Sequence, residues 1–145
     1  MANNEYRKLP TGIQSFYIIR EEGYLYVDKT DMVWNLANKG LKYNYLSRPR
    51  RFGKSVLVDT LQYYFEGRKE LFEGLKIMDL EKDWKAYPVI RLDMSRGGAN
   101  VETLRSYLNL RFGYYEEKYA ITPDPTTQLA DRFDAIITTA YKQTG

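Results

Sequence analysis

The spacing of apolar residues along the chain predicts alternating helices and strands. Apolar side chains recur every three or four positions, the period of an amphipathic helix, in residues 12–20, 32–37, 56–65, 101–119 and 129–141. Short apolar runs bounded by turn-forming residues predict strands at Tyr24–Val27, Tyr43–Leu46 and Val89–Met94. This alternation is typical of an α/β domain.

The middle of the chain holds the most informative pattern. The strand predicted at Tyr43–Leu46 runs into a basic loop, Ser47–Lys54, and then into a helix. A strand, a loop ending in Gly-Lys-Ser and a helix form the context of a phosphate-binding P-loop. In such a loop, Gly53 lets the backbone approach phosphate closely, Lys54 neutralises the β- and γ-phosphates, and Ser55 ligates Mg²⁺. The sequence therefore predicts a nucleoside triphosphate site with Mg²⁺.

The front of this loop departs from the usual G-x-x-x-x-G-K-S/T pattern. Arg48 stands where the first glycine is expected, and Pro49 restricts the backbone and has no N–H to donate. Arg50 and Arg51 can compensate, since guanidinium groups bind phosphate through paired hydrogen bonds. The alternative is a basic β–α turn in which the glycine only permits tight packing.

The stretch SRPRRFGKSVLVDTL resembles the P-loop of the AAA-ATPase-like family of bacterial proteins, in which R-P-R-R-F-G-K-S/T replaces the glycine-first loop. The resemblance also takes in LPTGIQSF, GYLYVDKT, LFEGLKI and YPVIRLDMS, and it weakens from Arg96 onward. It implies a three-layer α/β/α P-loop NTPase fold, ATP with Mg²⁺ as ligand, and a hydrolase. The implied binding residues are Arg48, Pro49, Arg50, Arg51, Phe52, Gly53, Lys54, Ser55 and Val56, with Ser55 also the metal ligand.

Two further acidic positions carry competing interpretations. The resemblance implies that Asp28, Lys29 and Thr30 line the nucleotide pocket, whereas their sequence alone favours a helix cap beside a surface lysine. Asp93 ends a predicted strand, as a Mg²⁺-organising aspartate would. Its context instead favours a cap on the next turn or a pair with Arg96, because no glutamate follows it.

The acidic strand end expected later in the family is absent up to Gly145. The sequence therefore predicts that residues 1–145 are the N-terminal part of a single P-loop ATPase-like domain, truncated before the Walker B strand. In this interpretation residues 1–41 are a lead-in and residues 42–145 are part of the core. Such a piece would hydrolyse nucleotide slowly, and its unpaired strand edges would favour self-association.

Composition excludes several classes of chemistry. The chain has no cysteine and no histidine, which rules out disulfides, thiolate nucleophiles, Cys/His zinc sites and a histidine base. Phosphoryl transfer remains open, since it depends on positioning and charge neutralisation. No run of about 20 apolar residues and no signal-peptide core is present, so we expect a cytoplasmic protein with no membrane partner.

Charge is concentrated on one segment although the net charge is only +3. No acidic residue lies between Asp31 and Asp59, and residues 42–54 are rich in lysine and arginine. Such a focus suits a compact polyanion. One alternative is nucleic-acid binding, with bases stacked on the aromatic side chains of the segment, Tyr43, Tyr45 and Phe52. Another is a non-catalytic interaction module that uses these aromatic residues at an interface.

Overall fold

A computed structural model describes residues 7–40, 42–47, 49–97, 100–122, 124 and 126–144. The chain divides into two compact units, Met1–Tyr87 and Pro88–Gly145. The first unit contains α1 (Phe16–Glu21), α2 (Thr30–Asn38), α3 (Lys54–Phe65), a 3-10 turn (Lys69–Phe72) and α4 (Ile77–Leu80). The second contains a 3-10 turn (Met94–Gly97), α5 (Val101–Lys118) and α6 (Leu129–Thr144). None of the helices in the described ranges is long and apolar enough to span a bilayer.

The prediction of an α/β, three-layer P-loop fold is wrong. The described residues form helices and turns and no β-strand, and the runs Tyr24–Val27, Tyr43–Leu46 and 89–93 have no regular secondary structure. A short apolar run becomes a strand only when another backbone pairs with it along its length. Of the first run, the Leu25 N–H donates to the Lys8 carbonyl at 2.9 Å, but the described residues form no continuous ladder. The strand edges on which the self-association prediction rested are therefore not formed there.

The run 89–93 shows what replaces strand pairing. The Arg91 N–H donates to the Tyr115 hydroxyl at 2.8 Å, and the Asp93 N–H donates to the Tyr107 hydroxyl at 2.6 Å. Both tyrosines belong to α5. Alternate backbone donors are thus satisfied by side chains of a helix, which removes the cost of leaving them unpaired.

The core of the first unit combines aromatic and aliphatic residues. Phe16, Tyr64 and Phe72 are buried in one cluster with Val33, Leu71, Leu75 and Ile77. The rings of Phe16 and Phe72 lie 5.0 Å apart between centroids. The apolar pair Leu71 and Phe72 in the short helical turn after α3 is predicted to face inward, and both are at most 2% exposed.

A buried carboxylate ties α3 to α1. Asp59 on α3 is 8% exposed. Its Oδ2 accepts the Phe16 N–H at 2.7 Å and the Ser15 hydroxyl at 3.1 Å. Ser15 is the N-cap of α1, and its side chain accepts the Ile18 N–H at 3.5 Å. The start of α1 is therefore fixed by a side chain of α3.

The second unit is built on the packing of α5 against α6. The buried hydrophobic residues described there are Phe112, Tyr115, Tyr119, Ile136 and Ala140. The rings of Phe112 and Phe133 are stacked, with centroids 5.4 Å apart. The two helices predicted from the apolar spacing are present as α5 and α6. Val101 and Tyr141, which that spacing placed on the packed faces, are instead 74% and 70% exposed. Asn100, a residue type that favours the N-cap, caps α5, since its Oδ1 accepts the Thr103 N–H at 2.9 Å.

One ion pair joins α5 and α6. Arg132 Nε donates to Glu116 Oε1 at 2.7 Å, and a second guanidinium nitrogen donates to Glu116 Oε2 at 2.7 Å. Arg132 also donates to Asn109 Oδ1 at 2.5 Å. Glu116 is 2% exposed, and the hydrogen bonds from Arg132 lower the pKa of its carboxyl. The fork-on-fork geometry makes this a strong pair.

We expect Asp59→Ala to lower the free energy of unfolding of the chain by about 2 kcal/mol, because it leaves the buried Phe16 N–H without this acceptor. Urea unfolding followed by circular dichroism measures the change. Glu21→Ala, which removes an exposed acid of α1, is the control and should stay within about 0.5 kcal/mol of the parent. Equal stability of the two variants would contradict the proposed role of Asp59.

We expect Arg132→Met to lower the free energy of unfolding by about 3 kcal/mol at pH 7, because it leaves the buried Glu116 charge unpaired. The lowered Glu116 pKa means that the pair stabilises the fold above the ordinary glutamate pKa of about 4.3. That contribution is lost as the pH falls through the lowered pKa of the folded state. Urea unfolding from pH 7 to pH 3 should show the two proteins converging, and a pH-independent difference would contradict this account.

Candidate functional site

The predicted phosphate loop is a turn with left-handed backbone at two positions. Arg51 has a φ of 67° and Gly53 a φ of 74°. Nothing lies within 4 Å of a Cβ built on Gly53, so its backbone conformation, and not crowding, favours glycine there. Left-handed residues within a turn allow successive peptide N–H groups to converge on an anion. α3 then begins at Lys54, and the Gly53 carbonyl accepts the Leu57 N–H at 2.9 Å.

The N-terminus of α3 is electrostatically suited to an anion. The first turn contains no acidic residue, so no carboxylate offsets the positive end of the helix dipole. The first N–H groups of any helix lack intrahelical acceptors. In this twelve-residue helix they follow directly on a loop that carries Arg50 and Arg51.

Nine residues are predicted to bind nucleotide, and those that the structure describes lie in the loop and in the first turn of α3. Arg48 lies outside the described residues. Among the others, Lys54 and Val56 are half-buried in the first turn of α3, and the exposed ones are Pro49, Arg50, Arg51, Phe52, Gly53 and Ser55. Phe52 is 62% exposed.

A cavity of about 320 Å³ adjoins the loop. Its walls come from the lead-in before α2, the start of α2, residues 46–53 before α3, and the start of α3. Its described lining is mainly apolar and consists of Leu9, Pro10, Ile13, Ile19, Leu25, Tyr26, Val27, Lys29, Met32, Val33, Leu46, Phe52, Gly53, Val56 and Leu57. Lys54 and Ser55 are not in that lining, so the cavity meets the loop at Phe52 and Gly53.

Asp28 and Thr30 act as a structural clamp. Asp28 Oδ1 accepts the Thr30 N–H at 2.9 Å and the Thr30 hydroxyl at 2.7 Å, and its Oδ2 accepts the Lys76 N–H at 2.8 Å. Thr30 Oγ1 accepts the Ile77 N–H at 3.1 Å. Burial raises the pKa of Asp28, but the hydrogen bonds from Lys76 and Thr30 outweigh it and hold the pKa below its ordinary value. Of the three lead-in candidates, Lys29 alone lines the cavity.

Asp93 has the structural role that its sequence context favoured. Its Oδ1 accepts the Ser95 N–H at 3.1 Å and the Ser95 hydroxyl at 2.6 Å, and Arg96 Nε lies 3.6 Å from its Oδ2. The hydrogen bonds from Ser95 are the main reason that its pKa is lowered. In the part of the chain that the structure describes, no group of three or more acidic residues is arranged to hold a metal ion.

The sequence prediction missed the cavity. Its walls come from residues 9–33 and 46–57, which are separate along the chain and come together only in the folded protein. The sequence shows only that the lead-in contains apolar residues. In the structure Leu9 is 67% and Val27 is 70% exposed. Singly exposed apolar residues are common on proteins, so the sequence alone did not mark these as one surface.

Comparison with known proteins identifies the family. A family model described as "Predicted AAA-ATPase" matches residues 10–145. The chain belongs to the AAA-ATPase-like family. This family assignment confirms the resemblance seen in the loop sequence.

The AAA-ATPase-like chain is also similar to a curated relative, described as "Uncharacterized protein in vnfD 5'region" of Azotobacter chroococcum mcd 1. The two are 48% identical over 93 residues, which is 63% of this chain and 18% of the relative. This chain thus spans less than a fifth of that relative's length. No solved structure matches the chain.

We expect opposite effects from two glycine substitutions in this AAA-ATPase-like chain. Gly53→Ala should lower the free energy of unfolding by about 1 kcal/mol, because a Cβ disfavours the left-handed backbone. Gly113→Ala should raise it by about 0.5–1 kcal/mol, because Gly113 lies inside α5 with open space around a built Cβ. Thermal and urea unfolding measure both changes. Two changes of the same sign would contradict the backbone geometry at the loop.

Proposed function

We propose that the chain binds a Mg²⁺–nucleoside triphosphate, with the phosphate tail at residues 50–55 and the base against the adjoining apolar cavity. The observation that carries the proposal is the left-handed Gly53, which joins a basic loop to the N-terminus of α3 and lines the cavity. Membership of the AAA-ATPase-like family supports nucleotide as the ligand.

The phosphate end of the proposal rests on charge and backbone donors. The N–H groups at the start of α3 would face the phosphate oxygens, as at other helix N-termini that bind anions. Lys54 would neutralise the terminal phosphates, and Arg50 and Arg51 would add guanidinium donors at the open side of the loop. Ser55 would contribute a hydroxyl ligand to Mg²⁺. Each role follows from the loop's place in the chain and its exposure.

The base end rests on the cavity. Its volume of about 320 Å³ falls at the lower end of the range of small-molecule pockets, roughly 300–1,000 Å³. Such pockets are mainly apolar with a few polar groups that orient the ligand. Here the walls are aliphatic and aromatic, and Lys29 is the charged side chain among the described lining residues. A flat base would therefore bury apolar area against Val27, Met32 or Leu57.

We expect Mg²⁺-dependent, saturable binding of a fluorescent ATP analogue, measured by anisotropy. Lys54→Ala should weaken it about 10- to 100-fold, the loss that matches one charge-assisted hydrogen bond of about 1.5–3 kcal/mol. Lys69→Ala is the matched control, because Lys69 is an exposed lysine outside the loop, and its affinity should not change. Binding by Lys54→Ala equal to that of the parent would contradict the proposal.

A second measurement separates the two ends of the site. Val27→Glu places a carboxylate at the cavity wall, remote in sequence from the loop. It should weaken binding of ATP but leave competition by inorganic triphosphate unchanged. If both ligands are weakened equally, the cavity does not hold the base.

The exposed aromatic residues of the basic segment favour a second candidate function, binding of single-stranded nucleic acid. Tyr43 is 81% and Tyr45 is 93% exposed, and Lys42 Nζ lies 5.8 Å from the Tyr43 ring centroid. Aromatic side chains beside basic ones are the stacking platforms of sequence-tolerant binders. This function predicts that log affinity for an oligonucleotide falls with log salt by about 0.7 per phosphate contacted, and that excess Mg²⁺–ATP does not compete.

A further inference from the structure

A second cavity in the first unit, of about 230 Å³, has a different chemical character. Its described walls come from the ends of α2 and α3 and from the segment that follows α4. The aromatic lining residues are Tyr64, Phe65, Trp84 and Tyr87, and the acidic ones are Glu81 and Asp83. None of its described lining residues belongs to the loop or to the first cavity. Its function is therefore a separate question from nucleotide binding.

The aromatic walls meet at steep angles. Tyr64 and Trp84 have ring centroids 5.9 Å apart at an interplanar angle of 70°, and Phe65 and Tyr87 have centroids 6.2 Å apart at 78°. Neither pair is stacked face to face, so the cavity is lined by rings in several orientations. The face of each ring carries the negative part of its quadrupole, so faces turned towards a cavity attract a cation.

The acidic wall is held ionised. Glu81 Oε1 accepts the N–H groups of Lys82 and Asp83, both at 3.0 Å, and its Oε2 accepts the Tyr64 hydroxyl. Burial raises the pKa of Glu81, but the hydrogen bonds from Tyr64 and the backbone outweigh it, so the pKa lies below the ordinary value. Burial and the Glu81 carboxylate raise the pKa of Tyr64 to about 12. The pair therefore stays one phenol and one carboxylate at neutral pH.

The chain already places an ammonium group on one of these walls. Lys85 Nζ lies 5.1 Å from the ring centroid of Tyr87, within the range of a cation–π interaction. Lys85 is an exposed lining residue, so its side chain stands where an entering cation would compete with it. Two carboxylates against this one ammonium leave the lining with a negative balance.

We propose that this cavity binds an organic cation, an alkylammonium head group enclosed by Trp84, Tyr64 and Tyr87 and neutralised by Glu81. Aromatic boxes are the usual recognition sites of quaternary and methylated ammonium groups. The volume is below that of a typical drug-sized pocket, which suits a head group and not a large ligand. The negative lining disfavours anions, including nucleotides. The ammonium group comes either from a free amine or from a lysine side chain of a protein segment.

The test compares choline with 3,3-dimethylbutanol, its neutral counterpart of nearly the same shape. Amide shifts of residues 81–87 in ¹H–¹⁵N spectra of the full chain report binding. We expect choline to bind saturably and the neutral analogue at least tenfold more weakly, because the ring faces and the Glu81 carboxylate act on charge. Equal affinity for the two compounds would overturn the proposal.

Substitutions give effects of opposite sign, so a folding defect cannot imitate the result. Glu81→Gln and Trp84→Leu should each weaken choline binding about tenfold. Lys85→Met should strengthen it several-fold by removing the competing ammonium. Lys82→Met is the control, because Lys82 is exposed and absent from the described lining, and it should leave the affinity unchanged. If Lys85→Met does not bind choline more tightly, the Lys85 ammonium does not compete for the site, and the proposal is contradicted.

The same titration distinguishes the two sources of the ammonium group. A trimethyllysine peptide that binds at least tenfold more tightly than choline supports a protein segment as the natural ligand. Equal affinity supports a free amine. Binding of Mg²⁺–ATP should be unchanged by Trp84→Leu, so the two proposals can fail independently. Failure of both choline and the peptide to bind would overturn the cation site.

Discussion

The buried carboxylate of Asp59 is the interaction on which the arrangement of the first unit depends. It lies on the helix that begins at the basic loop, and it holds the start of α1 through Phe16 and Ser15. α1 also contributes Ile19 to the wall of the first cavity. The loop and the cavity are therefore parts of one scaffold, since both are anchored to α3. A charged group in this position must be fully hydrogen-bonded, because an unpaired buried carboxylate would be costly.

The same principle recurs wherever two elements meet. Asp28 and Thr30 bind the backbone ahead of α4, Glu81 binds the backbone that follows it, and Tyr115 binds the run before the second 3-10 turn. In each case a polar side chain satisfies peptide groups that no neighbouring strand is present to pair with. A sheet would satisfy those groups by backbone pairing. At these points of the described structure side chains take that role.

The helices could be predicted because their signals are local. The spacing of apolar residues gave α2, α3, α5 and α6, and Asn100 marked the cap of α5 because a short polar side chain at that position reaches the first turn. The strand predictions failed because an apolar run such as 89–93 can bond either to a neighbouring strand or to side chains of a helix. Its own sequence does not distinguish the two. Tyr107 and Tyr115 supplied the helix side chains from more than ten residues away. Pairing over such distances leaves no local trace in the sequence.

The candidate sites show the same difference between local and long-range signals. Gly53 and Lys54 could be proposed from the sequence because the loop is one continuous segment, and they remain candidates. The turn at Asp93 could be predicted because it closes within two residues, at Ser95. The apolar cavity could not be foreseen, because Leu9, Val27 and Leu57 converge only when the chain folds. Trp84 lies in a polar stretch of the sequence, and its contacts with the rings of Tyr64 and Phe72 arise only in the folded chain. Sequence reasoning thus finds chemistry carried by neighbours along the chain and misses surfaces assembled from distant ones.

The hydrogen bonds from the backbone of residues 91 and 93 to tyrosine hydroxyls have a consequence for amide hydrogen exchange in this protein. Amide protons bonded to a phenol oxygen exchange slowly with solvent, while the amide between them has no such bond among those described here. Alternate slow and fast exchange is the signature normally read as the edge of a sheet. In this segment it would instead record contact with a helix, and replacing the two phenols by phenylalanine would erase it without disturbing any strand.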